Sequence, residues 1–245
     1  MKNILGIEAD AKTTKGDALG VLTGILYLAP ANLSGYEVCP KASDGCRAAC
    51  LFTAGRGKMK SVTEARIAKT KRFFEHRADF MADLVFSLKA LEKKAAKRNM
   101  IPAARLNGTS DSPWEKISGV KDGVEYRSVM DAFPNIQFYD YTKIVGRKRA
   151  AKLANYHLTF SLAENNQHDA VRAIHEGMNV AVAFAIKKDD AKPATWGGFP
   201  VIDGDVTDVR FMDPKGGHIV GLFAKGDAKK DTSGFVRKID AVNIQ

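Results

Sequence analysis

The chain has 245 residues, 45% of them hydrophobic, and its lysines and arginines exceed its aspartates and glutamates by ten. This length and composition predict one α/β domain over residues 1–245 with a substantial core. The most apolar stretch, residues 19–31, is too short and too interrupted by glycine to span a bilayer, which excludes a membrane protein and predicts a soluble, cytoplasmic one.

The first predicted strand covers residues 19–29, an apolar run rich in branched side chains. The segment that follows contains all three cysteines of the chain and reads Cys39-Pro-Lys-Ala-Ser-Asp-Gly-Cys46-Arg-Ala-Ala-Cys50. Its proline, glycine and charged residues predict a turn-rich loop rather than a piece of the core. In a chain without a secretory signal, three clustered thiols indicate a metal or redox site more than a disulfide plus one thiol.

A three-cysteine set can bind three irons of a [4Fe–4S] cluster and leave the fourth iron open to a small-molecule ligand. A closed structural zinc site needs a fourth ligand, and no histidine lies nearby at a zinc-finger spacing. We therefore predict that Cys39, Cys46 and Cys50 are the metal ligands of an iron–sulfur cluster, with zinc as the alternative.

Two helices are predicted next in the chain. One begins at Ser61, because Ser61 and Glu64 have the spacing of a capping box, and the other covers residues 79–98 with one apolar stripe. Residues 56–98 contain 13 basic and 5 acidic side chains, an excess that invites a nucleic-acid partner. Charged helix faces are common without any partner, so nucleic-acid binding is the less favoured interpretation.

Beyond residue 100, short apolar strands alternate with helical segments. Strands are predicted at residues 102–107, 136–140, 156–162 and 179–184, and a helix at residues 168–176 is predicted to end at Gly177. Residues 206–211 and 219–223 predict a closing strand and a hairpin. Repeated βα units of this kind predict an α/β fold with a partial or complete TIM-like barrel, in which the three-cysteine loop follows the first strand.

Polar side chains gather where these predicted strands end, at the edge where parallel α/β proteins bind their ligands. Each one alone is more often a turn or cap residue, so their shared position is the evidence. The candidate cofactor-binding contacts for a molecule at the open iron are Asn107, Ser110, Asp140, Lys143, Ser161 and Glu164.

The run from Cys39 to Gly57, followed by Arg-Ile-Ala-Lys-Thr-Lys-Arg-Phe-Phe at residues 66–74, resembles the gene product 88-like proteins of tailed phages. The likeness covers most of the chain and implies a phage protein that acts in the cytoplasm of a bacterial host. More remotely, a strand, a three-cysteine loop and a series of βα units are similar to the radical S-adenosylmethionine (SAM) enzymes. That similarity implies that the three cysteines are iron ligands and that SAM is a ligand of the cluster.

Three functions follow from these observations. The leading hypothesis is a [4Fe–4S] protein with an open iron, which a radical-SAM-like activity would make an oxidoreductase or a SAM-cleaving enzyme. The second is a non-enzymatic redox or iron-sensing protein, in which the cluster transfers electrons or stabilises the fold. The third is a zinc-stabilised nucleic-acid-binding protein that uses residues 56–98.

Overall fold

The computed structural model of the chain describes residues 1–9 and 14–239, and a large mixed β-sheet organises them. In chain order the strands are β1 (Gly6–Ile7), β2 (Val21–Ile25), β3 (Ile101–Arg105), β4 (Gly119–Lys121), β5 (Val124–Tyr126), β6 (Gln137–Thr142), β7 (Tyr156–Ser161), β8 (Val180–Phe184), β9 (Thr195–Trp196), β10 (Phe199–Asp203) and β11 (Ile219–Phe223). The helices are α1 (Asp44–Ala48), α2 (Lys60–Glu75), α3 (Arg77–Lys97), α4 (Val129–Ala132) and α5 (Gln167–His175).

The strand order in the main sheet is β1-β2-β3-β6-β7-β8-β11-β10-β9. Seven strands, from β2 to β10 in this order, run parallel, and β1 and β9 add antiparallel edges. Strands β4 and β5 form a separate hairpin. No pairing between the two edges closes the sheet within residues 1–9 and 14–239, so the mixed α/β prediction is confirmed and the complete barrel is not.

Helices cover one face of this sheet. Side chains alternate between the two faces along each strand, so neighbouring residues belong to different clusters. On β6, Phe138 packs into the helix-covered core, whereas Tyr139 belongs to a separate cluster on the opposite face. The predicted apolar stripe of α3 is confirmed as core: its fully buried members are Phe80, Leu84, Leu88, Leu91 and Ala95. Helix α5 buries Ala170 and Ala173 against the second half of the sheet.

Most predicted elements are present within a few residues of their predicted bounds. Residues 206–211 are an exception, because they contain a 3-10 turn at Arg210–Met212 and no strand. The hairpin prediction is also wrong, since β11 pairs in parallel with β8 and with β10. The capping-box prediction at Ser61 is wrong, since α2 begins at Lys60, after Met59. Helix α5 is followed by Gly177 in the left-handed conformation (φ 84°), the geometry that the sequence predicted there.

Among the described helices, none combines the length and the apolar character that a bilayer crossing requires.

A buried ionic network supports the connection between β3 and β6. The Arg147 guanidinium donates to both Glu115 carboxylate oxygens, with 3.1 Å from Nε to Oε1, and its NH2 group lies 3.2 Å from Tyr156 Oη. The Arg147 side chain is 4% exposed and that of Glu115 is fully buried. A pair this deep stabilises the fold only while both partners are present, because removing one leaves an uncompensated charge in a low-dielectric interior.

The variant Arg147→Ala is therefore expected to lower the free energy of unfolding by about 3–5 kcal/mol, measured by urea denaturation. Arg172→Ala is the matched control, because Arg172 forms an exposed ion pair with Glu176 one helical turn away, and that change is expected to cost about 0–1 kcal/mol. Equal losses in the two variants would contradict the structural role given to the buried pair.

Candidate functional site

A cavity of about 220 Å³ lies at the carboxyl ends of β3, β6 and β7. Three parts of the chain line it: the cysteine segment, the inner face and ends of the strands, and residues near the carboxyl terminus. All three cysteines belong to the lining, and further members are Arg105, Asn107, Ser110, Asp111, Tyr141, Lys143, Ser161, Asp208, Lys225 and Phe235. The polar strand ends and the cysteines therefore meet at one place.

The cysteine segment, residues 39–50, follows β2 and contains a short helix, α1, rather than an irregular loop throughout. Ser43 caps this helix, since its Oγ accepts a hydrogen bond from the backbone N–H of Cys46 at 3.2 Å. Cys46 lies within α1, Cys50 lies just after it and Cys39 lies before it, and all three thiols are half-buried. No disulfide joins these described cysteines.

Glu164 fixes the start of α1 to the end of β7. Its Oε2 accepts from Ser43 Oγ at 2.7 Å and its Oε1 accepts from the backbone N–H of Gly45 at 2.8 Å. Gly45 is required by close packing, because a Cβ there would lie 2.1 Å from Ser233 Oγ and 2.8 Å from Glu164 Oε2. Burial raises the pKa of Glu164, but the hydrogen bonds from Ser43 and Gly45 outweigh it, and the net pKa lies below the usual value.

Cys39 is anchored differently from the other two cysteines. Its Sγ accepts from the backbone N–H of Ala31 at 3.4 Å and lies 3.8 Å from the carbonyl oxygen of Thr109. Burial, together with the nearby Cys50, Asp111 and Cys46, raises the pKa of the Cys39 thiol to about 12, although the Ala31 N–H lowers it. Without a metal ion this thiol stays protonated at neutral pH, and only a bound cation would make it a thiolate ligand.

The three thiols are the candidate metal donors of the site. In the part of the chain that the structure describes, no group of three or more His, Cys, Asp or Glu side chains is placed to hold one metal ion. In an iron–sulfur cluster each cysteine binds a different iron, so the three sulfurs lie around the cluster and are not all within bonding distance of one metal ion. The three cysteines lie on the wall of one cavity, and a cluster held there would use their sulfurs as its ligands.

Of the six predicted cofactor contacts, Asn107 and Ser110 line the cavity but bond chiefly to the protein itself. Asn107 Oδ1 accepts from Ser110 Oγ, from the backbone N–H of Ser112 and from Trp114 Nε1, at 2.9, 2.9 and 3.1 Å. Its amide nitrogen donates to the carbonyl oxygen of Ser112. Asn107 is thus saturated, and it shapes the cavity wall instead of presenting a vacant amide.

Asp140 and Glu164 are not among the cavity-lining residues. Because side chains alternate along β6, Asp140 points to the helix-covered face, where it accepts from the Asn107 N–H at 2.7 Å and from Tyr156 Oη at 3.0 Å. Burial raises the pKa of Asp140 to about 7, against the opposing hydrogen bond from Asn107. Glu164 does not line the cavity, and its carboxylate instead bonds to the start of α1, the helix that contains Cys46.

Lys143 and Ser161 are the two predicted contacts that face the cavity as a pair. Lys143 Nζ donates to Ser161 Oγ at 2.8 Å, and its backbone N–H donates to Asp111 Oδ2 at 2.7 Å. The ammonium also lies 5.6 Å from the centre of the Phe235 ring. This lysine has no ion pair with a described carboxylate, and it places a positive charge at the cavity wall.

Arg105 and Asp208 line the cavity although neither was predicted as a contact from the sequence. Arg105 and Tyr141 lie within β3 and β6 rather than after them, and Asp208 lies in the connection from β10 to β11. The sequence does contain a signal for Arg105. A charged residue ends an otherwise apolar strand, and it lies two positions after the buried Ala103, which puts both side chains on the same face of the sheet.

Residues 231–237, here named the carboxyl-terminal strap, close one side of the cavity. Asp231 accepts backbone N–H groups of Gly234 and Val236, and Arg237 exchanges backbone hydrogen bonds with Ala183 and Ala185 beside β8. The strap places Phe235 in the cavity lining. Its Phe235 and Val236 also pack with Ala49 of the cysteine segment.

The fold pairs part of the positive charge of the basic segment, residues 56–98, with acidic side chains. Acidic side chains pair with many of its cations, and the pairs include Lys58–Asp227, Lys60–Glu64, Arg72–Asp83, Lys89–Asp122 and both Lys94 and Arg98 with Glu8. Lys69 donates to the carbonyl oxygen of Ile4. Less charge is therefore available to a polyanion than the sequence count suggests.

Comparison with known proteins gives one family match. The family model described as Gene product 88 matches residues 4–239 of the chain. Neither the curated proteins nor the solved structures contain a match.

The clamp from Glu164 to α1 leads to a test of local order. In Glu164→Ala, the backbone amide of Gly45 is expected to exchange with deuterium faster and Cys46 to react faster with iodoacetamide, while the free energy of unfolding falls by only about 1–2 kcal/mol. Because the pKa of Glu164 is lower in the folded protein than its usual value, the stability that this carboxylate contributes is complete near neutral pH. That stability is lost as the pH falls through the folded pKa.

Glu176→Ala removes an exposed glutamate at the end of α5 and serves as the control. If deuterium exchange at the Gly45 amide and alkylation of Cys46 are unchanged in Glu164→Ala, then other contacts hold α1 in place.

Proposed function

The chain belongs to the gene product 88 family, and we propose that it is an iron–sulfur protein in which Cys39, Cys46 and Cys50 hold a [4Fe–4S] cluster. The observation that supports this most is the convergence of all three thiols on one cavity wall, beside polar strand ends. The likeness to tailed-phage proteins supports an action in the cytoplasm of a bacterial host. We also interpret the parallel sheet, with helices on one face, as part of a barrel.

In this proposal the chain supplies three thiolates and a shaped cavity, and the fourth iron is open to a small molecule. A bound cluster supplies redox and Lewis-acid chemistry, while the protein positions its ligand. Lys143 and Ser161 offer a positive charge and a hydroxyl to that ligand. Glu164 keeps Cys46 in place through α1, a supporting role of the kind that residues around metal sites commonly have.

The size of the cavity bears on the choice of ligand. At about 220 Å³ it is smaller than the roughly 300–1,000 Å³ of typical small-molecule pockets, and a cluster would occupy part of it. SAM is the candidate that the remote likeness to radical SAM enzymes implies, and its binding would require the cavity to widen. The spacing Cys-x6-Cys-x3-Cys also departs from the Cys-x3-Cys-x2-Cys common in those enzymes, so a smaller ligand fits better.

The limited volume also favours a second candidate function, a redox or iron-sensing protein whose cluster takes no bulky ligand. The two functions differ in one observable. If SAM alters the electron paramagnetic resonance spectrum of the reduced cluster, then SAM reaches the open iron; an unchanged spectrum at saturating SAM removes the SAM-dependent activity and leaves the redox function.

Protein purified without oxygen is expected to be brown and to contain about four irons and four sulfides per chain, as one cubane cluster requires. Cys39→Ala, Cys46→Ala and Cys50→Ala are each expected to lose most of the iron, measured by metal and acid-labile sulfide analysis. Ser110→Ala is the matched control, because Ser110 lines the same cavity without a thiol.

Colourless protein with one bound zinc would contradict the cluster. Full iron retention in any single cysteine variant would remove that cysteine from the ligand set.

A further inference from the structure

Arg105 presents an unusual group to the cavity. Its side chain lies on the sheet face opposite the helix-covered core, the residue is only 4% exposed, and it belongs to the cavity lining. The guanidinium carbon lies 4.8 Å from the centre of the Tyr141 ring, a cation–π contact. Within residues 1–9 and 14–239, however, Nε has no hydrogen-bond acceptor and no carboxylate lies within ion-pair distance of the guanidinium.

A buried guanidinium whose Nε has no acceptor and which has no ion-pair partner is unfavourable for the fold, because its lost hydration is not fully replaced. Buried polar groups in native proteins are almost always bonded, so an exception calls for a functional explanation. The cation lies against the Tyr141 ring and faces a cavity, which is the arrangement expected of a receptor for an anion.

From this geometry we infer that Arg105 binds the carboxylate of a small organic molecule inside the cavity. Its planar fork of N–H donors matches the two oxygens of a carboxylate, and Lys143 adds a second cation on the same cavity wall. The inference deepens the proposed function, on which it rests for the role of the bound molecule, by naming the class of ligand that shares the cavity with the cysteines.

Asp208 makes a carboxylate a better ligand than a phosphate. It lines the same cavity and is 9% exposed. Burial lowers the pKa of Arg105, but the negative charge of Asp208 is among those that raise it, and the two form no ion pair. A doubly charged phosphate would meet this carboxylate at close range, whereas a singly charged carboxylate on Arg105 is repelled less.

The test is a titration of the isotope-labelled full chain, followed by nuclear magnetic resonance of arginine Nε–H groups. The Arg105 signal is assigned by its disappearance in Arg105→Met, and in Arg105→Lys if the first variant does not fold. Sodium acetate at constant ionic strength is expected to shift this signal saturably, and phosphate is expected to give no saturable shift. The Arg172 Nε–H, already bonded to Glu176 at 2.8 Å, is the internal control and should not respond.

In a parallel measurement, acetate is expected to raise the melting temperature of the wild-type chain and to have no effect on Arg105→Met. Asp208→Asn is expected to lower the acetate concentration at half-saturation, because a neighbouring negative charge is removed. The inference is overturned if acetate does not shift the Arg105 signal, or if phosphate shifts it at a lower concentration than acetate does. Iron and sulfide analysis of the same samples tests the cluster separately, so the two failures can be told apart.

Discussion

The two hydrogen bonds that the Glu164 carboxylate accepts from Ser43 and Gly45 join the cysteine segment to the sheet. Helix α1 has only 5 residues, and a helix this short does not persist on its own in water. Its first N–H groups need acceptors, and a carboxylate satisfies them while also complementing the positive end of the helix. Cys46 and Cys50 depend on this attachment for their position, because neither lies in a sheet strand.

The polar residues around the cavity divide into those that build its wall and those that face its interior. Asn107, Asp140 and Tyr156 bond to one another, and Arg147 connects Tyr156 with Glu115 behind them. These groups satisfy each other and make the wall rigid, which a ligand site requires of its supporting residues. Arg105, Lys143 and Asp208 face the cavity, and they carry the charge available to a ligand.

Local patterns in the sequence predicted the parallel strands, the long helices and the meeting of the cysteines with the strand ends, because alternation and helical periodicity are properties of neighbouring residues. Strand β10 was missed because it contains Pro200, which argues against a strand. Asp140 was predicted at the ligand, but the alternation along β6 turns it away. The clamp from Glu164 to Ser43 joins residues 121 positions apart, and no local pattern encodes such a contact.

The carboxyl-terminal strap has a consequence for biosynthesis. A ribosome makes the cysteine segment early and residues 231–237 late, and a nascent chain folds from its amino-terminal part onward. Until Phe235 and Val236 have been made, Ala49 lacks their packing and one side of the cavity is open. The three thiols therefore lack this cover in the growing chain, and they are more accessible to oxidants there than in the folded protein, where all three are half-buried.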